Sequence, residues 1–235
     1  MSLNVKKLLR HMNRGILLGS IIFIALVIYL VVDSLNFKRD IPMFEKLIED
    51  YYAELSEIAV SPEENRKVND SATAKKEMDR VKEEYAKFID ENWVDYSNGL
   101  YYYYVTKQDV KGSLDNFNNV SSKLLNGYVV DWKYKLSDIK VSKLGPNMVG
   151  ISYTDNITVD LVGNPLVVDV LNLDMPQFLK YARNYEELKE NTDKQKYNRT
   201  SSIFIKLMKV DGEWKIYGSD GIYNNIEIVG GDDNA

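Results

Sequence analysis

Hydrophobic and polar positions alternate in three different ways along this chain. From Gly15 to Val32 it reads GILLGSIIFIALVIYLVV, with no charge and no proline. A helix of that length covers about 27 Å, close to the hydrocarbon thickness of a bilayer. Next, Ile41, Phe44, Ile48, Tyr51, Leu55 and Ile58 recur at steps of three and four. They predict a helix entered at Asp40 and Pro42, a carboxylate cap with a proline in the first turn, and running to about Val60. Ser61 to Asn65 breaks it, and the polar run to Asp70 reads as a loop. Met78, Val81, Tyr85 and Phe88 mark the inner face of a second helix from about Ser71 to Glu91, whose dense Lys and Glu read as a solvated face. Leu114, Phe117, Leu124 and Leu125 predict a short helix between Ser113 and Asn126.

The period then falls to two. Gly99 to Val105 already reads as a strand, with Tyr101, Tyr102, Tyr103 and Tyr104 placing two rings on each face. Trp132, Tyr134 and Leu136 alternate out of phase with Ile139 and Val141, which predicts a bulge near Ser137 and Asp138. Gly145 to Asn147 turns the chain, and Val149, Ile151, Tyr153, Ile157, Val159 and Leu161 alternate on the way back. Gly163 to Pro165 turns it again, before a strand from Leu166 to Val170. Asp174 to Gln177 forms a capping box for a helix to about Asn191, and a polar stretch from Lys189 to Arg199 follows. Asp211 and Gly212 then close a hairpin that pairs Lys209 with Trp214, Leu207 with Ile216 and Ile205 with Gly218. Ile203, Ile205, Leu207, Trp214 and Ile216 thereby face the core, and Lys206, Met208, Lys215 and Tyr217 the other side.

Charge orients the apolar helix. Lys6, Lys7, Arg10 and Arg14 precede it without an acidic residue, whereas residues 33–40 carry two charges of each sign. The N-terminus is therefore expected in the cytoplasm and the C-terminal domain outside. A cleaved signal peptide would have a shorter apolar core and a small-x-small site, and Val31 to Leu35 is a poor one. Tyr29 and Val32 mark the outer end of the span, and Gly15 and Gly19 form a GxxxG pattern that would let two copies approach closely at its inner end. The expected order is a basic stub (1–14), a transmembrane helix (15–32), a juxtamembrane linker (33–39), an extracytoplasmic α+β domain (40–225) and a flexible tail (226–235).

Composition removes several chemistries. The chain carries net charge -5, and subtracting the +4 of the stub leaves -9 for the rest, a poor match to nucleic acid. It has no cysteine, and its one histidine, His11, lies in the stub. The outer domain thus lacks the residues behind most general acid–base schemes and most zinc sites, so no catalytic residue, cofactor or metal ligand is expected. Asp169, between Val168 and Val170, is the one acidic residue beside identifiable buried positions, and it is expected to point to solvent.

The closing stretch Lys209, Val210, Asp211, Gly212, Glu213, Trp214, Lys215, Ile216 resembles the hairpin that ends many members of the nuclear-transport-factor-2-like superfamily. The resemblance extends over about Asp40 to Tyr223. It implies an α+β fold in which helices pack inside a strongly curved, cone-like antiparallel sheet. The helix from Met175 to Asn191 departs from the simplest version of that fold. A basic-flanked single span before such a domain is similar to bitopic assembly subunits of type IV secretion and conjugation machines. What the resemblance implies is a non-enzymatic scaffold held to the lipid bilayer in the cell membrane, contacting other envelope proteins or a second copy of itself. Tyr101 to Tyr104, Tyr217 and the helix from Met175 are the candidate contacts. Superfamily members such as ketosteroid isomerase and scytalone dehydratase imply the alternative, a small-ligand site or a carboxylate and tyrosine enzyme within the cone.

Overall fold

In a computed structural model of the chain, residues 14–67, 70–95, 106–117, 127–163 and 194–229 are described, with side chains for all but 14, 113–117 and 223–229. The elements are helix α1 (Arg14–Ala59), a short 3-10 turn (Glu63–Asn65), α2 (Ser71–Asn92), α3 (Lys107–Phe117) and strands β1 (Gly127–Gly145), β2 (Met148–Gly163), β3 (Lys194–Val210) and β4 (Glu213–Val229). The strand expected at Gly99 to Val105, the strand from Leu166 and the helix from Met175 lie outside the described residues. The chain forms two units, Met1–Phe44 and Glu45–Ala235, and α1 contributes residues to both.

In the first unit the apolar stretch is helical and unburied. Phe23 is 66% exposed and Ile28 58%. No linker or new helix start separates it from the later turns of α1, because residues 33–39 are helical and Pro42 lies inside the same helix. A cap signal ends or starts a helix only where the preceding residues leave it, and Asp33 to Arg39 contains no glycine or proline to do so. Pro42 removes one backbone hydrogen bond without ending the helix.

In the second unit Ile48, Tyr51, Tyr52, Leu55 and Ile58 form the buried stripe of α1, as the period required. On α2, Ala74, Met78, Val81, Tyr85, Phe88 and Ile89 are buried, and Asp70 caps the helix by accepting from the backbone N–H groups of Ala72 and Thr73. Helix α3 starts at Lys107, six residues before the expected start. Its signal is a capping box: Thr106 N donates to Asp109 Oδ2 at 2.9 Å and Asp109 N to Thr106 Oγ1 at 3.4 Å.

The strands form one antiparallel sheet in the order β1-β2-β3-β4. The fold class is thus α+β, with a long N-terminal apolar helix ahead of a four-stranded antiparallel sheet. The expected bulge in β1 is present: the register shifts between Ser137 and Lys140, and Asp138 has φ 54°. Lys209 pairs with Trp214 and Leu207 with Ile216, as the Asp211–Gly212 turn dictates. Ile205, however, pairs with Ser219 and not with Gly218, because Tyr217 is inserted as a bulge. Two further boundaries differ. Lys194 to Arg199, expected in a polar stretch, belongs to β3, and residues 226–229, expected in the tail, pair with β3 as part of β4. Both follow from pairing: β2 is long enough to template β3 back to Lys194, which templates β4 in turn.

Odd-numbered positions of β2 and β3 face the helices, and Ile151, Val159, Leu161, Ile203, Ile205 and Leu207 are all buried there. Tyr51 hydroxyl donates to Trp214 O at 3.3 Å, and Val94 N donates to Ile216 O at 2.9 Å, so α1 and the end of α2 are tied to the hairpin. At the opposite corner Glu77 is 5% exposed, against the expectation that the charges of α2 are all solvated. Its carboxylate accepts from Asn65 Nδ2 at 2.7 Å and from Arg80 Nη2 at 2.6 Å. Arg80 also donates to Ile58 O at 3.0 Å and Val60 O at 3.4 Å, satisfying carbonyls at the end of α1.

Burial alone would push the Glu77 carboxyl upward, but the hydrogen bonds from Arg80, Asn65 and Ser61 outweigh it and hold the group below its usual 4.5. A lowered folded-state value means stability that is present above pH 4.5 and lost as pH falls through the folded value. Glu77→Gln should therefore lower unfolding stability in urea at pH 7 by about 1.5–3 kcal/mol, the range for a charged hydrogen bond. The gap to wild type should be smaller at pH 3. An equal deficit at both pH values would contradict this role.

Candidate functional site

The residues predicted for the membrane lie together on α1. Tyr29 is 64% exposed and Val32 49%, and a side chain added at Gly19 would meet nothing, so that face of the helix is open. Gly15 is exposed on the same helix. Of the predicted contact residues, Tyr217 is half-buried at the β4 bulge, and Tyr101 to Tyr104 lie outside the described residues.

The sheet's inner face carries a polar cluster that the apolar periodicity does not reveal. Asp155 is fully buried, with no exposed surface, and Arg199 is 4% exposed. Arg199 Nη2 donates to Asp155 Oδ2 at 2.5 Å. Tyr52 hydroxyl donates its one proton to the same oxygen at 2.8 Å, and its own oxygen lies 3.2 Å from that of Tyr153. Tyr153 therefore supplies the proton of that second contact. Ser201, also fully buried, pairs with Asp155 across β2 and β3. Ser201 Oγ and Asp155 Oδ1 have no hydrogen-bond partner among the described residues.

Each member is placed by local pattern. Asp155 is in phase with Ile151, Tyr153, Ile157 and Val159, so the period that buries them buries it too. Arg199 and Ser201 share the phase of Ile203 and Ile205. Tyr52 follows Ile48 by four and precedes Leu55 by three, which puts it on the α1 stripe. Alternation of apolar residues alone passes over all three polar positions, although extending the same phase through them would have found the cluster. Asp169, the acidic residue that the sequence sets between two valines, lies outside the described residues.

Chemically the cluster is an ion pair with a tyrosine relay. Removing one partner of such a buried pair leaves an uncompensated charge and costs about 3–5 kcal/mol, so the pair constrains the inner face. Asp155 Oδ1 and Ser201 Oγ are what remains to hold a small polar group. Among the described residues no group of three His, Cys, Asp or Glu side chains is arranged to hold a metal.

Burial, with the nearby Tyr153 and Asp155, drives Tyr52 well above the ordinary tyrosine value of 10.0. Burial does the same for Tyr153, Tyr85 and Tyr51. These raised values mean that stability is complete below pH 10 and declines as pH rises above it, because only the unfolded chain releases the protons. The decline is about 1.4 kcal/mol per pH unit for each such tyrosine. Alkaline titration should therefore show these phenols ionising together with loss of the circular dichroism signal. Smooth ionisation of all 17 tyrosines with the fold intact would refute their burial.

No family model matches this chain, and no curated protein does. Among solved structures it is similar to a hexachlorocyclohexane dehydrochlorinase (LinA) of type 2, at 14% identity and TM-score 0.40, over 83% of this chain and 95% of that one. It is also similar to a LinA-type3 dehydrochlorinase from Novosphingobium barchaimii LL02, at 15% identity and TM-score 0.39, over 81% and 92%. A scytalone dehydratase-like protein of Novosphingobium aromaticivorans DSM 12444 aligns at 11% identity and TM-score 0.39, over 80% and 86%. At these values the likeness concerns the path of the chain and transfers no activity.

Proposed function

We propose that the chain is a single-pass membrane protein, N-terminus inside, whose α+β domain is a non-enzymatic interaction module of an extracytoplasmic assembly. The observation that carries this reading is the apolar part of α1, whose large side chains from Ile16 to Leu35 are mostly more than half exposed. Such a surface is stable in lipid and not in water. The basic residues before it and the balanced charges after it favour the inside-to-outside orientation. Confinement to one membrane raises the effective concentration of partners without any new contact. The inner-face cluster supports a structural role, since one oxygen of Asp155 is committed to Arg199 and Tyr52. A basic-flanked single span ahead of the domain, the arrangement expected of bitopic secretion and conjugation subunits, makes a transport or secretion machine our preferred assembly.

A second reading, a small polar ligand inside the domain, is favoured by the two unpartnered oxygens of Asp155 and Ser201. Native mass spectrometry of the full-length protein would then find a small molecule that Ser201→Ala loses. Identical spectra for both proteins, each at the mass of the chain alone, would remove this reading.

The absence of cysteine makes the topology directly testable. Ser142→Cys, at an exposed position of β1, should react with a membrane-impermeant maleimide in intact cells, and Ser2→Cys only after lysis. The reverse pattern would overturn the orientation, and release of the protein by alkaline carbonate would overturn the anchor. Crosslinking in native membranes should recover envelope proteins, and recovery of the monomer alone would count against the interaction module.

A further inference from the structure

The sheet face turned away from the helices differs in charge from the rest of the second unit. Residues 45–95, which hold most of the described helical part, carry fifteen Asp and Glu against eight Lys and Arg. On the outward sheet face lysines outnumber carboxylates by seven to four among the described side chains. Lys133 and Lys196 are paired with Asp131 and Asp160. Lys135, Lys140 and Lys194 are exposed and enter no ion pair among the described residues.

Between these lysines run rows of small donors. Lys133, Thr158 and Asn198 lie side by side across β1, β2 and β3, and Lys135, Asn156 and Thr200 form the next row. Thr200 Oγ1 donates to Asn156 Oδ1 at 2.8 Å, and Thr158 Oγ1 donates to Asn198 Oδ1 at 3.1 Å. Both amide oxygens are therefore occupied, and both Nδ2 groups are left as outward donors. Ammonium and amide donors grouped on one sheet face suit an anionic oxygen.

We propose that this face binds a linear anionic polymer of the phosphodiester class. The proposal rests on the interaction-module reading and names the chemistry of its partner. Same-face positions on a strand repeat at about 7 Å, comparable with the extended length of a three-carbon phosphodiester repeat, so successive phosphates can meet successive donors. The composition disfavours a folded protein here, because protein interfaces are depleted in Lys and Ser and centred on aromatic or Arg anchors. It also disfavours single-stranded nucleic acid, which needs stacking rings. The two rows above, and the neighbouring row Ser137, Thr154 and Ser202, contain none, and the rings Phe204 and Tyr128 lie beyond them in the rows of Lys140 and Lys194.

The test is a titration of the full-length protein, held in nanodiscs of neutral lipid, against fluorescent poly(glycerol phosphate), with dextran as the uncharged control. Binding should be saturable for the polyphosphate and absent for dextran. Three lysines neutralising three phosphates give a log-log salt slope of about -2, roughly a 20-fold loss of affinity between 50 and 200 mM salt. Lys135→Glu with Lys140→Glu should weaken binding at least tenfold, and Asn156→Asp should weaken it too. Lys46→Glu, on α1, should leave it unchanged. No binding, equal binding of dextran, indifference to the sheet variants, or binding only of single-stranded DNA or of anionic vesicles would each overturn the proposal. A soluble polymer needs no particular topology. Failure of this titration alone therefore leaves the anchored module standing, whereas failure of the maleimide pattern alone leaves the polymer site standing.

Discussion

The second unit depends on covering one face of a four-stranded antiparallel sheet. Strands β2 and β3 each present an inward row of apolar residues, and exposing those rows to water would forgo about 1.5–3 kcal/mol for each large side chain. Helix α1 supplies the cover through Ile48, Tyr51, Tyr52, Leu55 and Ile58, and α2 braces it through Tyr85 and Phe88. The Tyr51 and Phe88 rings meet edge to face at 6.2 Å, while Tyr85 and Phe88 stack at 6.3 Å. Polar contacts hold the corners of this arrangement. Ser61 exchanges hydrogen bonds with Val129 at the start of β1, and Arg80 draws the end of α1 against α2.

Within that apolar face the Asp155 and Arg199 pair is the exception. A well-packed apolar pair of the same volume is often as stable as a buried ion pair, so stability alone does not explain it. What an ion pair adds is discrimination between registers. Slipping β3 by one residue against β2 would turn Arg199 outward and leave Asp155 buried without its cation. Tyr52 extends the same constraint to α1, because its hydroxyl reaches Asp155 only if the helix stands over that point of the sheet. The cluster therefore specifies how helix and strands fit together.

The two sheet faces thus have different tasks. The inner face is consumed by packing, whereas the outer one carries lysines, hydroxyls and amide donors that packing does not use. In an acidic domain, a sheet face on which lysines outnumber carboxylates among the described side chains has its own sign of charge.

How much of this was legible in the residues depends on the range of the interaction involved. The span from Gly15 to Val32, the inner faces of α1 and α2, the bulge near Asp138 and the Asp211–Gly212 hairpin rest on contacts within a few residues, and their periods and turn chemistry appear in the chain itself. Tertiary structure decided what depends on partners far away in sequence. The β4 bulge at Tyr217 and the extension of β3 back to Lys194 and of β4 to Val229 are set by what the backbone finds to pair with. Burial of Glu77 and Asp155 was hidden for the same reason. A carboxylate is tolerated inside only when donors reach it, and Arg80, Asn65, Arg199 and Tyr52 arrive from other elements or other turns. The chain alone determined where apolar surface must be hidden, because that is a property of each residue. Only the folded state decided which polar groups could be hidden with it, because that is a property of pairs.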